Sequence, residues 1–226
     1  TVLGAAPITA PAADPAASRV PAGTISPAPA SPAPTPAAPA NDPALLAAQK
    51  IDKFVRVSDS LYRGAQPTEE GFRALKALGV RTIINLRYFN NDMDETEGMD
   101  FKLINIPLLA WQDPAEKKVR YFLRTVLDPA RQPVFFHCQH GGDRTGTMCA
   151  VYRIAVQGWE KEQAMAEMRG MGMHWIWKHL EEYVRHLDIE ALRKKAGIAL
   201  PSAPPPLSAP PPVPVPAPEP PSGHSP

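Results

Sequence analysis

The placement of proline is the feature that most restricts how this chain folds. Of its 29 prolines, 11 lie in residues 1–43 and 13 in residues 201–226, which leaves five in the long middle section. Proline has no backbone N–H and a fixed φ, so it is excluded from helix interiors and central strands. Both ends are also rich in alanine and serine, a composition that buries too little apolar surface to offset chain entropy. We therefore expect disordered ends and one folded domain over residues 44–200.

Charge, apolar runs and cysteines exclude several classes of protein. The formal net charge is +1, so the chain lacks the field that attracts nucleic acid or an anionic membrane. Its apolar runs are shorter than the ~18 residues needed to span a bilayer, and we expect no stable membrane insertion. Cys138 and Cys149 are too few for a disulfide framework. Cys149 is interpreted as a buried apolar residue.

The proline-rich ends carry two weaker indications. The opening TVLGAAPITAPAADPAAS is similar to the first residues of an exported protein after its secretion signal is cleaved, which favours a periplasmic or secreted protein over a cytoplasmic one. The ends are interpreted as spacers or, alternatively, as ligands for a partner that binds proline-rich motifs.

The middle section alternates short apolar segments with helical ones. VRTIINL, FKLINIPLL and PVFFHC predict three buried strands. Thr68 is predicted to cap one helix, and Asp113, Pro114 and Glu116 form a complete start signal for another. The alternation predicts an α/β fold in three layers, with helices on both sides of a mainly parallel central sheet. Further helices are predicted over residues 144–157, 161–169 and 174–187.

Two groups of conspicuous side chains are assigned structural roles. NNDMDETEGMD begins like a calcium-binding loop at Asp92 and Asp94, but it lacks the closing glutamate and is predicted to be solvated. Trp111, Trp175 and Trp177 could line the wall of a pocket, but they lie in or near helical stripes, which favours the core.

The segment VFFHCQHGGDRTG joins the third strand to a helix. Cys138 stands at the carboxyl end of that strand, where ligands bind in open α/β sheets. Gly141 and Gly142 allow a loop whose backbone N–H groups point inward, and the following helix adds its positive end. Such a loop binds a phosphate dianion, and the same field favours the thiolate form of a cysteine.

Arg144 follows Cys138 by six residues and completes the pattern. Its planar guanidinium can hold two phosphoryl oxygens, and the hydroxyl of Thr145 can donate to the sulfur. His137, just before Cys138, is placed to tune the strand–loop junction through hydrogen bonds. These residues predict covalent catalysis, in which the thiolate attacks phosphorus and water then hydrolyses the phosphocysteine. The alternative is an ordinary strand–turn–helix unit with a buried cysteine.

HCQHGGDRTG resembles the phosphate-binding signature of cysteine-dependent phosphatases, in the dual-specificity branch of the protein tyrosine phosphatase superfamily. LYRGAQPTEEGFRALKALGVRTIINLR resembles the front half of their smaller bacterial, plant and fungal members. The resemblance implies the cysteine-phosphatase fold, Cys138 as nucleophile, Arg144 as phosphate clamp, and no metal or cofactor. The predicted phosphate-binding residues are Gln139, His140, Gly141, Gly142, Asp143, Arg144 and Thr145.

Two aspartates compete for the role of general acid. Asp113 lies on the loop after the second predicted strand, where most of the family carries its acid, although it also suits a helix cap. Asp143 lies within GDRTG, which resembles lipid-directed relatives whose loop aspartate has that role; alternatively, it tethers its neighbours. The sequence favours Asp113 and leaves Asp143 open.

Three functions remain open. The chain is predicted to dephosphorylate proteins on tyrosine or with dual specificity, or else to act on inositol polyphosphates or phosphoinositides. The third alternative is a non-catalytic phosphate-binding module with proline-rich recruiting arms. An inositol phosphate needs several cations around the site, and the candidates are Arg63, Arg87, Lys117, Lys118, His140 and Lys178.

Overall fold

The computed structural model describes residues 42–199. The predictions made for the two proline-rich ends lie outside the described residues. None of the helices in the described part has the length and apolar character required to cross a bilayer.

The described residues form one five-stranded sheet in the order β1-β2-β5-β3-β4. β1 and β2 are antiparallel, and the other neighbouring strands are parallel. The three predicted strands are confirmed as β3, β4 and β5, whereas the β1–β2 pair was not predicted. The strands are β1 (Val55–Ser58), β2 (Leu61–Gly64), β3 (Thr82–Asn85), β4 (Lys102–Asn105) and β5 (Val134–His137).

Helices cover both faces of the sheet, as predicted. Successive side chains of a strand point to opposite faces, so Phe135 of β5 packs in one hydrophobic cluster and Phe136 in another. The Phe135 cluster includes Phe72 of α2, and the Phe136 cluster includes Phe122 of α3 and Val151 of α4. The helices are α1 (Pro43–Ala48), α2 (Glu69–Ala77), α3 (Glu116–Leu127), α4 (Asp143–Ala155), α5 (Lys161–Gly170), α6 (Lys178–His186) and α7 (Ile189–Ala196).

The starts of α2 and α3 differ in how well the sequence predicted them. Thr68 caps α2 as expected, because its side chain accepts a hydrogen bond from Gly71 N at 3.2 Å. The predicted cap at Asp113 is wrong. Pro114 is buried instead of occupying the first helical position, and α3 begins at Glu116 without a side-chain cap. The Asp113 carboxylate is therefore not committed to helix capping.

Two assignments by side-chain character are also wrong. Asp92 of the acidic segment is 1% exposed, because three side chains donate hydrogen bonds to its carboxylate and offset the cost of burying the charge. Trp111 and Trp175 are 58% and 78% exposed, not part of the core. Trp177 does pack against a hydrophobic cluster, as predicted.

Candidate active site

The 138–144 loop leaves the centre of the sheet, because β5 pairs with β2 on one side and β3 on the other. Gly141 has φ +69°, in the left-handed region that favours glycine. A Cβ on Gly141 would lie 2.7 Å from Ala65 N, and one on Gly142 would lie 2.4 Å from Gly172 O. Both glycines are therefore needed for the close approach of neighbouring backbone.

The carbonyl groups of this loop face the end of β2. Arg63, which is fully buried, donates from Nη2 to Gly141 O at 2.6 Å. Gln66 N donates to Gln139 O at 3.2 Å. In a trans peptide the carbonyl and the next N–H point in opposite directions, so the N–H groups of residues 140 and 142 point away from β2.

These amides are available to an anion. Within residues 42–199, no acceptor takes a hydrogen bond from the backbone N–H groups of residues 139–142. The positive end of α4 begins directly after them, at Asp143. The loop therefore has the form of an anion-binding nest.

Three side chains of the predicted machinery lie on or beside the loop. Cys138 is 1% exposed and follows the last residue of β5. Arg144 lines the cleft that opens above the loop. Arg144 Nε and Thr145 Oγ1 are both buried without a hydrogen-bond partner in the described part of the chain. A guanidinium and a hydroxyl left unpaired beside free amides suit a bound phosphoryl group.

The cleft above the loop has a volume of about 290 Å³. It is lined by Gln139, His140 and Arg144 of the loop, here called its floor, and by residues 87–90 and 108–111, here called its walls. Cys138 packs in the Phe136 cluster and is not among the lining residues. The walls carry exposed aromatic side chains, of which Phe89 is 85% exposed. The cleft therefore joins an anion-binding floor to aromatic walls.

Asp143 does not line this cleft. Its carboxylate accepts hydrogen bonds from the backbone N and the ring Nδ1 of His174, each at 2.8 Å. It therefore ties the turn before α6 to the start of α4. His140, Asp143 and His174 bring metal-ligand atoms within 4.8 Å of one another, although both Asp143 oxygens already bind His174.

Asp113 does not line the cleft either. It is exposed and faces a separate cavity of about 500 Å³ that Tyr183 of α6 also lines. Burial, and then the charges of Asp113 and Glu116, raise the pKa of Tyr183 to about 12. Asp113 follows Trp111, which does line the cleft, by two residues. Neither predicted general acid is thus in contact with the cleft in this structure.

His137, next to Cys138, belongs to a buried charge cluster. The sequence predicted hydrogen bonds of His137 at this junction but not the partners that the structure shows. Asp92 accepts hydrogen bonds from Arg87 Nη2 at 2.6 Å, His137 Nε2 at 2.9 Å and Gln66 Nε2 at 3.1 Å. Burial raises the pKa of the Asp92 carboxyl, but the hydrogen bond and charge of His137 and the charge of Arg87 outweigh it, so the pKa is lowered. The signal available in the sequence was an aspartate a few residues beyond a buried strand.

Sequence comparisons with known proteins find a matching family and several relatives. The family described as "DSP-PTPase phosphatase fused to NAD+ Kinase" matches residues 47–182. The dual specificity protein phosphatase TpbA of Pseudomonas aeruginosa is 35% identical over 154 residues, which span 65% of this chain and 69% of TpbA. The inositol diphosphatase DSP3 of Arabidopsis thaliana is 29% identical over 149 residues, 62% of this chain and 72% of DSP3.

Two solved structures are similar in fold to this chain. The crystal structure of TpbA in complex with phosphotyrosine has a TM-score of 0.59 at 31% identity, and covers 65% of this chain and 91% of that one. The catalytic core of Siw14 has a TM-score of 0.57 at 22% identity, with coverage of 65% and 91%. The latter likeness concerns the fold alone.

Proposed function

The chain belongs to the dual-specificity protein phosphatase family, and from this membership we propose that it dephosphorylates tyrosine in proteins through a phosphocysteine at Cys138. As a cysteine-dependent phosphatase it hydrolyses phosphoric monoesters. We assign the catalytic domain to residues 44–200, which contain the whole family match. The observation that carries the substrate assignment is the aromatic wall of the cleft.

In the proposed reaction, the Cys138 thiolate attacks phosphorus and displaces the tyrosyl oxygen, so a sulfur–phosphorus bond replaces an oxygen–phosphorus bond. The free amides of residues 139–142 and the Arg144 guanidinium balance the negative charge on the phosphoryl oxygens. Water then attacks phosphorus, inorganic phosphate leaves and the thiolate is restored. Thr145 Oγ1, which is buried and has no partner among the described residues, donates to the departing sulfur.

The departing tyrosyl oxygen needs a proton, and we assign the donor to Asp113 instead of Asp143. The Asp143 carboxylate is buried and already accepts two hydrogen bonds from His174. Asp113 is exposed and belongs to the segment whose Trp111 lines the cleft. In this proposal, movement of that segment on substrate binding brings the Asp113 carboxyl group from Tyr183 to the leaving oxygen.

Asparagine variants of both aspartates test this assignment. The variant that lacks the true acid should lose about 10²–10⁴ in kcat on phenyl phosphate, a poor leaving group, and much less on 4-nitrophenyl phosphate. We expect that pattern for Asp113→Asn. For Asp143→Asn we expect a similar loss on both esters, since a tether does not discriminate leaving groups. The opposite pattern would transfer the role to Asp143.

The walls of the cleft favour an aromatic ester. Tyr88, Phe89 and Trp111 line it and are 48%, 85% and 58% exposed. Tyr88 and Phe89 pack edge to face at 4.9 Å between ring centroids. Such walls can contact the ring of phosphotyrosine on more than one side, and each aromatic pair is worth ~0.5–1.5 kcal/mol beyond its buried area. The relative TpbA has been crystallised with phosphotyrosine.

The distribution of cations does not favour an inositol polyphosphate, the alternative substrate predicted from the sequence, although the relative DSP3 is named an inositol diphosphatase. Arg87 lines the cleft, but its guanidinium is buried and paired with Asp92 at 2.6 Å. Among the predicted cations this leaves only His140, beside the phosphate clamp Arg144, for a ligand that carries many phosphates. The other predicted cations, which lie outside the cleft lining, are Arg63, Lys117, Lys118 and Lys178.

Phosphate release from a phosphotyrosine peptide and from a diphosphoinositol phosphate decides between the two classes. We expect the higher kcat/KM for the peptide, and a loss of up to about tenfold for Phe89→Ala on the peptide alone, because one aromatic contact is removed. Tyr121→Ala is the matched control, since Tyr121 is an exposed ring of α3 outside the cleft lining. A higher kcat/KM for the inositol substrate, unchanged in Phe89→Ala, would overturn the assignment.

A further inference from the structure

Arg63 of β2 is fully buried, and no carboxylate among residues 42–199 pairs with its guanidinium. Its Nη2 donates to Gly141 O at 2.6 Å. Nε and Nη1 are buried without a hydrogen-bond partner in the described part of the chain. A guanidinium keeps its charge in proteins, and burying an unpaired charge is costly. We therefore looked for a group that compensates this charge.

The side chains around Arg63 leave its charge uncancelled. Arg63 points to the same face of the sheet as Leu61, which packs in the cluster that contains Cys149 of α4. Cys149 does not act as a counter-ion, because burial raises the pKa of its thiol more than the charge of Arg63 lowers it. The thiol donates to Glu167 of α5 at 3.7 Å, and Glu167 is already paired with Arg153 at 2.9 Å. This buried group therefore holds two guanidiniums and one carboxylate, and its net charge is positive.

The peptide that joins Gly141 to Gly142 lies between Arg63 and the anion-binding side of the loop. Its carbonyl accepts from Arg63, so its N–H, which belongs to Gly142, points the opposite way. No acceptor among residues 42–199 takes a hydrogen bond from that N–H. A cation at the carbonyl oxygen polarises the peptide and strengthens its N–H as a donor. An anion bound to Gly142 N would lie roughly 8 Å from the Arg63 guanidinium.

We propose that Arg63 is a positioning residue that strengthens phosphoryl binding through the Gly141–Gly142 peptide, and that the bound dianion compensates its buried charge. The inference rests on the proposed binding of the phosphoryl group by the 138–144 loop, but not on the choice of substrate. At an effective dielectric constant of about 20, a unit charge at that distance changes affinity roughly 10–30-fold for each charge on the anion. The effect of Arg63 should therefore grow with the charge of the anion, whereas an effect of loop shape should not.

Arg63→Met tests the proposal with two anions of the same shape. Tungstate and perrhenate are both tetrahedral oxyanions, but tungstate carries two negative charges and perrhenate carries one. Their dissociation constants are measured by NMR from the amide signals of Gly141 and Gly142, without turnover. We expect Arg63→Met to weaken the binding of tungstate by about 10²–10³-fold and that of perrhenate by about 10–30-fold. Equal losses for the two anions, or no loss, would overturn the proposal.

Two further variants separate the charge of Arg63 from its hydrogen bond. Arg63→Gln keeps a side-chain donor but has no charge, so tungstate should again lose more affinity than perrhenate. Arg56→Met is the matched control, because Arg56 lies on the neighbouring strand β1 and pairs with Asp59 at 2.7 Å. Its dissociation constants should equal those of the wild type. Unchanged tungstate affinity in folded Arg63→Gln would limit Arg63 to its hydrogen bond and overturn the proposal.

A measurement on the wild-type protein covers the case in which neither Arg63 variant folds. The Nε–H signal of Arg63 should shift as tungstate saturates the loop, and it should shift less at saturating perrhenate. An unchanged signal would refute the proposal. If Arg63 strengthens anion binding as expected but phosphotyrosine is not hydrolysed, the proposed function fails and this inference stands. If phosphotyrosine is hydrolysed and Arg63→Met weakens both anions equally, this inference alone fails.

Discussion

Replacing Gly141 with alanine tests whether catalysis depends on the shape of the 138–144 loop. Gly141 has φ +69°, a conformation that costs an L-residue roughly 1–2 kcal/mol. The new methyl group would also lie 2.7 Å from Ala65 N and 3.0 Å from Gly64 O. These are backbone atoms at the end of β2, in the middle of the sheet, so the loop has to give way.

The two effects set the expected magnitudes. Strain together with overpacking, which costs ~1–3 kcal/mol, should lower the free energy of unfolding of Gly141→Ala by about 2–5 kcal/mol. Displacing even one amide from the phosphoryl oxygens should lower kcat by about 10²–10³, the usual effect of a lost oxyanion donor. The loss of activity should therefore persist under conditions in which the variant is fully folded.

Gly79→Ala is the matched control for this prediction. Gly79 has φ +84°, but a Cβ there meets nothing within 4 Å. The free energy of unfolding of Gly79→Ala should fall by about 1–2 kcal/mol from backbone strain alone, and kcat should stay unchanged. Urea denaturation and steady-state hydrolysis of 4-nitrophenyl phosphate supply both quantities. Equal stability losses in the two variants, with kcat retained in Gly141→Ala, would refute the reasoning.

Three further predictions concern buried groups. Arg153→Met should lower the free energy of unfolding, measured by urea denaturation, by about 3–5 kcal/mol, because it leaves the carboxylate of Glu167, 2.9 Å from Arg153 Nη2, without its partner. Replacing the exposed Arg169 should lower it by under about 1 kcal/mol. Phe122→Ala, at 0% exposure, should cost about 3–5 kcal/mol by thermal or urea unfolding. The pKa of Asp92 is lowered in the folded protein, so its ionisation stabilises the fold above pH 3.8, the ordinary pKa, and this stabilisation is lost as the pH falls further. Asp92→Asn should be less stable than the wild type at pH 7 but should lose less free energy of unfolding on acidification. Equal losses in both proteins would contradict this.

Local patterns in the sequence were enough to predict those parts of the site that lie close together in the chain. Cys138, Gly141 and Arg144 lie within one strand–loop–helix unit, so their spacing was enough to predict an anion-binding loop. Thr68 likewise caps a helix that begins at the next residue. Features of this kind depend on backbone geometry over a few residues, which residue type controls directly.

Features assembled from distant segments were not predictable in this way. Asp92 lies in a segment that reads as solvated, and its burial depends on His137, which is brought to it only by the pairing of β3 with β5. Arg63 was considered a cation for substrate, but the pairing of β2 with β5 buries it beneath Gly141. A single sequence contains no record of these tertiary contacts.

The segment before α3 shows a second reason why prediction from the sequence fails. Asp113, Pro114 and Glu116 meet every local requirement for a helix start, yet Pro114 is buried and the helix begins at Glu116. Tertiary context therefore overrides the local capping preference at this position. The same segment exposes Trp111 at the cleft.

The most direct test of the account is to identify the residue that carries phosphate during turnover. The wild-type protein is mixed with a phosphotyrosine peptide, quenched in acid within the first turnover and digested for mass spectrometry. We expect a phosphoryl group on Cys138, with none on Cys149 and none in Cys138→Ser. Turnover without any phosphorylated Cys138, or continued turnover by Cys138→Ser, would contradict it.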